Sequence, residues 1–353
     1  MKNARLFIGA AVVIVVVAME LRPAVVRFSN SDIHYQASIS SLLKVIKAYA
    51  LADRNEAAPL SSIPVQPVSI AAIRAQGDDQ VIKLSHSTTL VYLDQSFILI
   101  DPVFSERVSP VQWAGPKRFH PLPIALEALP EIAAVLISHD HYDHLDKHSI
   151  LTLNAKVAHF ITPLKVGERL REWGIPHSKI TELNWWEATT IGSHTYTATP
   201  AQHFSGRGIL DKDTTLWAGW AIKGANTRLF YSGDSGYFKG FKDIGERLGP
   251  FDMTLIETGA YNALWRDIHM LPEQSVQAHL DVKGKAMMPV HNASFDLALH
   301  DWYEPLERAL IQAQAEQVTL ITPIFGESIS LKAPRQTPRW WQPLVHQSLT
   351  IQQ

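Results

Sequence analysis

The chain reads Ala133-Ala134-Val135-Leu136-Ile137-Ser138-His139-Asp140-His141-Tyr142-Asp143-His144 at its most informative point. The first five residues form an apolar run typical of a buried strand. The last six place ligand-type side chains at the end of that strand, and imidazole nitrogens and carboxylate oxygens suit zinc and similar divalent ions. In such a turn His139 and His141 can point one way while Asp143 and His144 point another. The stretch therefore predicts a metal site, and its two-sided arrangement favours a binuclear one.

Three further candidate ligands each follow a strand-like run. They are His203 after residues 195–199, Asp234 after residues 228–231 and His291 after residues 286–290. Each alone is ambiguous, because a single histidine after a strand is more often structural. Together they complete the count for a dinuclear site, and strand ends gathered at one sheet edge give rigid, convergent ligands. Gly233, directly before Asp234, indicates a close backbone approach there.

With these motifs the sequence resembles the metallo-β-lactamase superfamily, which carries H-x-H-x-D-H on a loop after a strand. Within it, the sequence is similar to the branch of N-acylphosphatidylethanolamine-hydrolysing phospholipase D. The resemblance covers about residues 81–310 and is carried by residues 100–105, 113–119, 139–146, 200–203 and 232–237. Residues 269–273 and 290–295 also fit bacterial members, whereas the animal enzymes have a different run after the last histidine. The resemblance implies an α/β fold, the four-layer αββα sandwich.

Carried over residue by residue, the resemblance implies two divalent metal ions, expected to be Zn²⁺. One would be held by His139, His141 and His203, a second by Asp143, His144 and His291, with Asp234 bridging both. The chain has no cysteine, which counts against a true β-lactamase, because the zinc β-lactamases commonly place cysteine where this chain offers Asp234. Two metals about 3.5–4 Å apart can hold a bridging hydroxide and neutralise charge on a phosphoryl oxygen. The implied activity is a phosphodiesterase of the phospholipase D type on N-acylphosphatidylethanolamine-like lipids. We expect Asp234, as the bridging ligand, and His269, on the chemical grounds given below, to be its catalytic residues.

Four other residues are candidates for supporting positions near the site. Asp101 and Asp146 are alternative acceptors for the second N–H of a ligand histidine, although Asp101 could equally cap a turn. His269 is the candidate general acid or phosphate contact, since it lies in a polar stretch and is not needed as a ligand; otherwise it is a helix-start or loop histidine. His86 matches a family position, and it lies either near the site or in an ordinary turn.

Composition agrees with a catalytic domain. The 353 residues are 46% hydrophobic, enough to bury a two-layer β core with helices outside. The 32 basic and 34 acidic residues leave no positive excess, so nucleic acid is not an expected partner, because phosphate backbones require an electropositive surface. Helical patterns at 163–173, 272–280 and 303–314 fall between strand-like runs, as in an α/β fold. The tryptophan pairs at 185–186 and 340–341 are expected in core or edge packing.

The N-terminus predicts export. Lys2 and Arg5 precede a 14-residue apolar run at 6–19, which is shorter than the roughly 20 residues that span a bilayer and fits the apolar region of a signal peptide. The sequence leaves three alternatives for this run: a signal cleaved near Ala18, an uncleaved anchor, or a buried core helix. We therefore expect a signal or anchor at 1–25, and a protein that is periplasmic or anchored to the inner membrane, with a membrane surface as a further partner.

The remaining chain divides by composition. An amphipathic pattern at 38–52 and a proline-rich stretch at 59–67 predict an N-terminal extension at 26–68. The hydrolase domain is expected at 69–335 and a C-terminal tail at 336–353.

Two alternative functions are consistent with these residues. A lactonase of the same superfamily shares the ligand set, and ligands alone do not separate attack on phosphorus from attack on carbon. A non-catalytic metal-binding protein of the cell envelope is the other alternative. Seven intact ligands weigh against it, because a structural zinc needs only four and keeps no open position.

Overall fold

Two mixed β-sheets face each other at the centre of the molecule. The structure, a computed structural model, describes residues 26–33, 44–45, 47–48, 51–52, 54–208 and 210–345, and in these each sheet has seven strands. In spatial order the first sheet contains β14 (Ser328–Ser330), β1 (Gln80–Lys83), β2 (Thr89–Leu93), β3 (Ser96–Ile100), β4 (Ile132–Leu136), β5 (Val157–Pro163) and β6 (Ile180–Leu183). Its strands pair antiparallel from β14 to β3 and parallel from β3 to β6.

The second sheet repeats this pairing pattern. In spatial order it contains β13 (Thr319–Leu320), β12 (Gly284–Val290), β11 (Phe251–Glu257), β10 (Arg228–Tyr231), β9 (Gly219–Lys223), β8 (His194–Thr199) and β7 (Ala188–Ile191). Pairing is antiparallel from β7 to β10 and parallel from β10 to β13. Because β8, β10, β11 and β12 run in the same direction, they all end at one edge of the sheet.

Alternation along the strands separates an inner core from two outer faces, because successive strand residues point to opposite sides of a sheet. On β3, Ile98 and Ile100 join the cluster between the sheets, where Trp220 of β9 is fully buried. Phe97 and Leu99 of the same strand belong to a cluster on the outer face. Both faces of the strand are therefore apolar, as a strand covered on both sides requires.

Helices cover both outer faces. The first sheet is covered by α1 (Ile70–Gln76), α2 (Lys147–Leu153) and α3 (Val166–Glu172), and the second by α4 (Gly240–Arg247), α5 (Pro272–Asp281) and α6 (Glu304–Ala315). Short 3₁₀ turns lie at Leu126–Ala128, His177–Lys179 and Gln342–Leu344. The predicted αββα sandwich is confirmed. The helix expected from residue 163 begins only at Val166, because Pro163 is the last residue of β5.

The segments on both sides of the predicted 69–335 domain pack against it. Trp341 is fully buried in an apolar cluster with Ile63 and Phe325, and its Nε1 donates to Glu307 Oε1 at 2.7 Å. The packed unit thus extends beyond both predicted bounds. The predicted export segment at 1–25 and most of the predicted helix at 38–52 lie outside the described residues. Within the described ranges, no helix is both long enough and apolar enough to cross a bilayer.

Candidate metal centre

All seven predicted ligands meet at the edge of the sandwich where β4, β8, β10 and β12 end. His139 and His141 follow β4, and His203 follows β8. His141 Nδ1 lies 2.9 Å from His139 Nε2 and 3.3 Å from His203 Nε2. We call these three residues the imidazole half. These three nitrogens lie close enough together to bind a single metal ion.

Asp143, His144 and His291 form a second group, which we call the carboxylate half. Asp143 Oδ2 lies 3.2 Å from His291 Nε2 and 3.6 Å from His144 Nε2. His86 joins this group, since its Nε2 lies 3.4 Å from Asp143 Oδ2 and its ring centroid lies 3.9 Å from that of His291. The sequence allowed His86 to lie either near the site or in an ordinary turn. In the structure it lies at the site.

Asp234 lies between the two halves. Its Oδ2 is 3.1 Å from His144 Nε2 and 3.0 Å from His291 Nε2. The same oxygen is 3.9 Å from His139 Nε2 and 3.8 Å from His203 Nε2. One carboxylate oxygen is thus close to both halves, as a bridging ligand must be.

Gly233 allows Asp234 to reach this position. Its φ is +59°, and a Cβ built there would lie 2.7 Å from the carbonyl oxygen of Ala218. A side chain would therefore clash with the backbone just before β9, and the backbone angle itself disfavours other residues. The close approach predicted from the sequence is present.

Several buried polar atoms of the cluster have no hydrogen-bond partner among the described residues. They include Asp234 Oδ1 and His144 Nε2, and the latter faces Asp234 in the cluster. Buried polar groups in proteins are ordinarily paired. Unpaired nitrogen and oxygen atoms where imidazoles and carboxylates converge are suited to bind divalent metal ions, which take ligands of this kind.

The two halves differ in protonation. Burial lowers the pKa of His139 and of His203 well below the usual value of 6.5. Burial also acts to lower the pKa of His144 and His291, but the surrounding carboxylates, Asp234 foremost, together outweigh it, so that the pKa of His144 lies well above its usual value and that of His291 rises to about 10. Without metal, the imidazole half is therefore neutral, whereas His144 and His291 of the carboxylate half carry protons that a cation would replace.

Asp101 supports the carboxylate half from behind. His144 Nδ1 donates to Asp101 Oδ2 at 2.7 Å, and the Tyr231 hydroxyl donates to the same oxygen at 2.5 Å. A carboxylate behind a metal-binding imidazole sets its orientation and tautomer. Asp146, the alternative acceptor, is wrong for this role: it caps α2, where its side chain accepts from the His148 N–H.

Glu257 is a buried residue of the site that the sequence interpretation missed. Its Oε1 lies 3.1 Å from His269 Nδ1, its Oε2 accepts from the Met270 N–H at 3.1 Å, and burial raises its pKa. Glu257 ends β11, which lies between the strands that carry Asp234 and His291. The strand-end rule that identified those two residues would have identified Glu257 as well.

His269 lies beside the ligand cluster. Its ring centroid is 5.0 Å from that of His203 and 5.4 Å from that of His291, and its side chain is 13% exposed. A ring nitrogen lies within 4.8 Å of ligand atoms of His203 and Asp234. The residue is part of the loop before α5, and it is placed to reach a molecule bound at the cluster.

The comparison with known protein families agrees with this architecture. The family described as the beta-lactamase superfamily domain matches residues 97–292, more than half of the chain. The chain belongs to this superfamily. The matched segment contains all seven predicted ligands, so the superfamily resemblance predicted from the sequence is confirmed.

Relatives within the metallo-β-lactamase superfamily include enzymes and uncharacterized proteins. An uncharacterized protein of Mycobacterium tuberculosis is 46% identical over 290 residues, which cover 80% of this chain and 78% of that protein. N-acyl-phosphatidylethanolamine-hydrolyzing phospholipase D 1 of Caenorhabditis elegans is 35% identical over 262 residues, 70% of this chain and 73% of the relative. The isothiocyanate hydrolase from Delia radicum gut bacteria, at 18% identity, has the same fold with a TM-score of 0.57 over 71% of this chain and 98% of its own. The chain is a metal-dependent hydrolase of the superfamily.

Proposed function

We propose that this superfamily member is a phosphodiesterase of the phospholipase D type that acts on N-acylphosphatidylethanolamine-like lipids with two divalent metal ions, Zn²⁺ in the first instance. The proposal rests on Asp234, whose Oδ2 lies 3.0 Å from His291 Nε2 and 3.8 Å from His203 Nε2, in opposite halves of the cluster. A carboxylate there offers two cations a shared oxygen ligand. When bound, the two ions would supply the nucleophile and stabilise charge on the phosphoryl group. The 35% identity to the C. elegans phospholipase supports this substrate class.

His269 and Glu257 suit protonation of the leaving oxygen. The buried carboxylate of Glu257 lies 3.1 Å from His269 Nδ1 and orients the ring, so that its other nitrogen is free to face a substrate. In this reaction the headgroup alcohol leaves the phosphorus, and an unprotonated alkoxide of this kind is a poor leaving group. A positioned acid therefore contributes to this reaction, typically about 10²–10⁴-fold.

A substrate panel tests the proposed function. The metal-loaded full chain is assayed with N-acylphosphatidylethanolamine, other phospholipids, simple phosphodiesters and lactones. Release of phosphatidic acid from N-acylphosphatidylethanolamine is expected. Turnover of lactones alone would replace the proposal with the lactonase, and metal binding without turnover of any compound would favour the non-catalytic alternative.

A substitution of His269 tests the acid. His269→Ala should lower turnover of a phosphodiester with a poor leaving group by about 10²–10⁴-fold, yet spare a nitrophenyl ester, whose leaving group needs no proton. Metal content should not change. His177→Ala, at an exposed histidine of a 3₁₀ turn, is the matched control. An equal fall for both substrates with metal retained would remove His269 from this role.

We also propose that residues 1–25 direct export, leaving the protein periplasmic or anchored to the inner membrane beside its lipid substrate. A reporter fused after Arg27 should then appear outside the cytoplasm. Retention of the fusion in the cytoplasm contradicts this localisation and leaves the enzymatic proposal intact.

A further inference from the structure

The N-terminal arm, residues 26–33, lies over the ends of two ligand-bearing strands. The Phe28 N–H donates to the carbonyl of Asp213 at 2.8 Å, in the loop after β8. Asp32 Oδ1 lies 3.2 Å from Lys239 Nζ, just before α4 in the connection that follows β10. Asn30, between these two contacts, is only 7% exposed. The arm thus contacts the rest of the protein on both sides of a buried amide side chain.

The carboxamide of Asn30 pairs with the backbone of His203. Asn30 Nδ2 donates to the carbonyl of His203 at 2.9 Å, and Asn30 Oδ1 accepts from the His203 N–H at 2.9 Å. Trp217 Nε1 also donates to Asn30 Oδ1, at 3.0 Å, but it has a second acceptor in the Ala201 carbonyl at 2.9 Å. Loss of the carboxamide would therefore leave Trp217 a partner and would act chiefly on His203.

His203 needs such support because of where it lies. It follows the last residue of β8, Thr199, by four positions, so the strand ladder does not hold its backbone. Its ring is held at Nδ1, which donates to the Ile268 carbonyl at 2.9 Å. An amide side chain offers a donor and an acceptor together, which matches the two polar groups of one residue's backbone. The Ile268 carbonyl thus holds the ring of His203, and the Asn30 carboxamide holds its backbone.

We infer that Asn30 is a positioning residue of the imidazole half, holding His203 so that its Nε2 stays directed at His141 and Asp234. The inference deepens the proposed function, because it takes His203 as a metal ligand. It makes the arm part of the metal centre, although the sequence assigned it to a separate extension. A cleavage near Ala18 would leave Asn30 in the mature chain.

Metal affinity of full-length variants tests the inference. Outer partners of metal ligands typically contribute about 10–100-fold to affinity, so Asn30→Ala should weaken one of the two bound Zn²⁺ ions by about this factor and leave the other unchanged. Competition with a chelator, followed by elemental analysis, measures both ions. Asp32→Ala is the matched control, because it removes a contact of the same arm to a lysine that is 80% exposed. The control should bind both ions as the parent does.

A second variant keeps the test valid if Asn30→Ala does not fold. Asn30→Asp retains an acceptor for the His203 N–H and loses the donor to its carbonyl, so an intermediate loss of affinity is expected. Parental affinity in the variants, with only a lower Tm, would show that the arm serves packing alone and would overturn the inference. In that case the proposed function stands. A parent chain that binds no metal would overturn both.

Discussion

The imidazole half and the carboxylate half begin in the same six-residue loop, yet different surroundings hold them. In the imidazole half the outer nitrogen of His203 donates to a neutral backbone carbonyl, that of Ile268. In the carboxylate half the outer nitrogen of His144 donates to the buried carboxylate of Asp101. The inner nitrogen of His144 also lies nearer to Asp234, at 3.1 Å, than that of His203, at 3.8 Å.

This difference shows that the protonation of a ligand histidine follows its partners rather than its place in the motif. His139 and His144 are five positions apart and are both buried, but the pKa of His139 is lowered and that of His144 is raised. Burial disfavours the charged ring in both residues. Only for His144 do the neighbouring carboxylates of Asp234, Asp143 and Asp101 together outweigh that effect.

Removal of the shared ligand should have the largest effect. Asp234→Ala is expected to lose most of the metal from both halves and to lower the activity by more than about 100-fold. Loss of a residue that only hydrogen-bonds a metal ligand typically costs roughly 10–100-fold, which is less than we expect for a shared ligand. Elemental analysis and turnover measure the two losses. Asp252→Ala, whose carboxylate pairs with Lys285 on the surface, is the control. One tightly held metal that survives unchanged in Asp234→Ala would refute the bridging role.

Asp101 should matter more to the carboxylate half than to the imidazole half, because it contacts His144 directly and reaches His139 only through the Ser138 hydroxyl. Asp101→Asn replaces the anionic acceptor of His144 and is expected to weaken metal binding in the carboxylate half by about 10–100-fold, with a smaller effect on the imidazole half. Asp146→Ala is the comparison, because this residue caps a helix and its loss should cost at least about 1 kcal/mol of stability without changing metal affinity. Chelator competition and thermal unfolding separate the two outcomes. Equal losses of metal in both variants would contradict this assignment.

The two halves should also differ in pH dependence. Metal must displace protons from His144, whose pKa is raised, and from His291, whose pKa is about 10, whereas His139 and His203 are already neutral. The affinity of the carboxylate half should therefore rise by about tenfold per pH unit for each displaced proton, and that of the imidazole half should change little.

Titrations of single-site variants measure this difference. His139→Ala leaves the carboxylate half, and His291→Ala leaves the imidazole half, so each affinity can be followed between about pH 6.5 and about pH 8.5. Parallel pH dependence in the two variants would show that the halves are not distinct.

Lys83 should have the smallest effect on metal. Its Nζ donates to Asn292 Oδ1 at 2.7 Å and to the Pro289 carbonyl at 3.1 Å, beside the loop of His291. Burial lowers the pKa of Lys83 from 10.5 to about 7. Above about pH 7 the folded chain has released this proton while the unfolded chain still binds it. The free energy of unfolding should therefore rise with pH up to about 10.5, by about 1.4 kcal/mol for each unit.

Lys83→Met tests this linkage. The variant should lack the rise, because it has no titrating amine, and should change metal affinity by no more than a few-fold. Denaturant unfolding of parent and variant at several pH values gives the slopes. The same slope in both proteins would assign the dependence to another group.

Much of the fold and of the metal site could be predicted from the sequence, because the sequence patterns that indicate them are local. An apolar run followed by ligand-type residues predicted the end of β4, and the same placement pointed to His203, Asp234 and His291. Glu257 follows that rule too and could have been found. The choice between Asp101 and Asp146 could not, because both are acids near a strand or helix end and only the contact with His144 distinguishes them.

What the sequence by itself determined is which residues can bind metal and which strand ends present them, since strand periodicity and turn position are encoded by near neighbours. Tertiary structure decided the rest. Asn30 meets the backbone of a residue 173 positions away, and the pKa of each ligand histidine depends on the carboxylates that folding brings beside it. Such contacts and charges act through short distances in a buried site, and no pattern of adjacent residues specifies them.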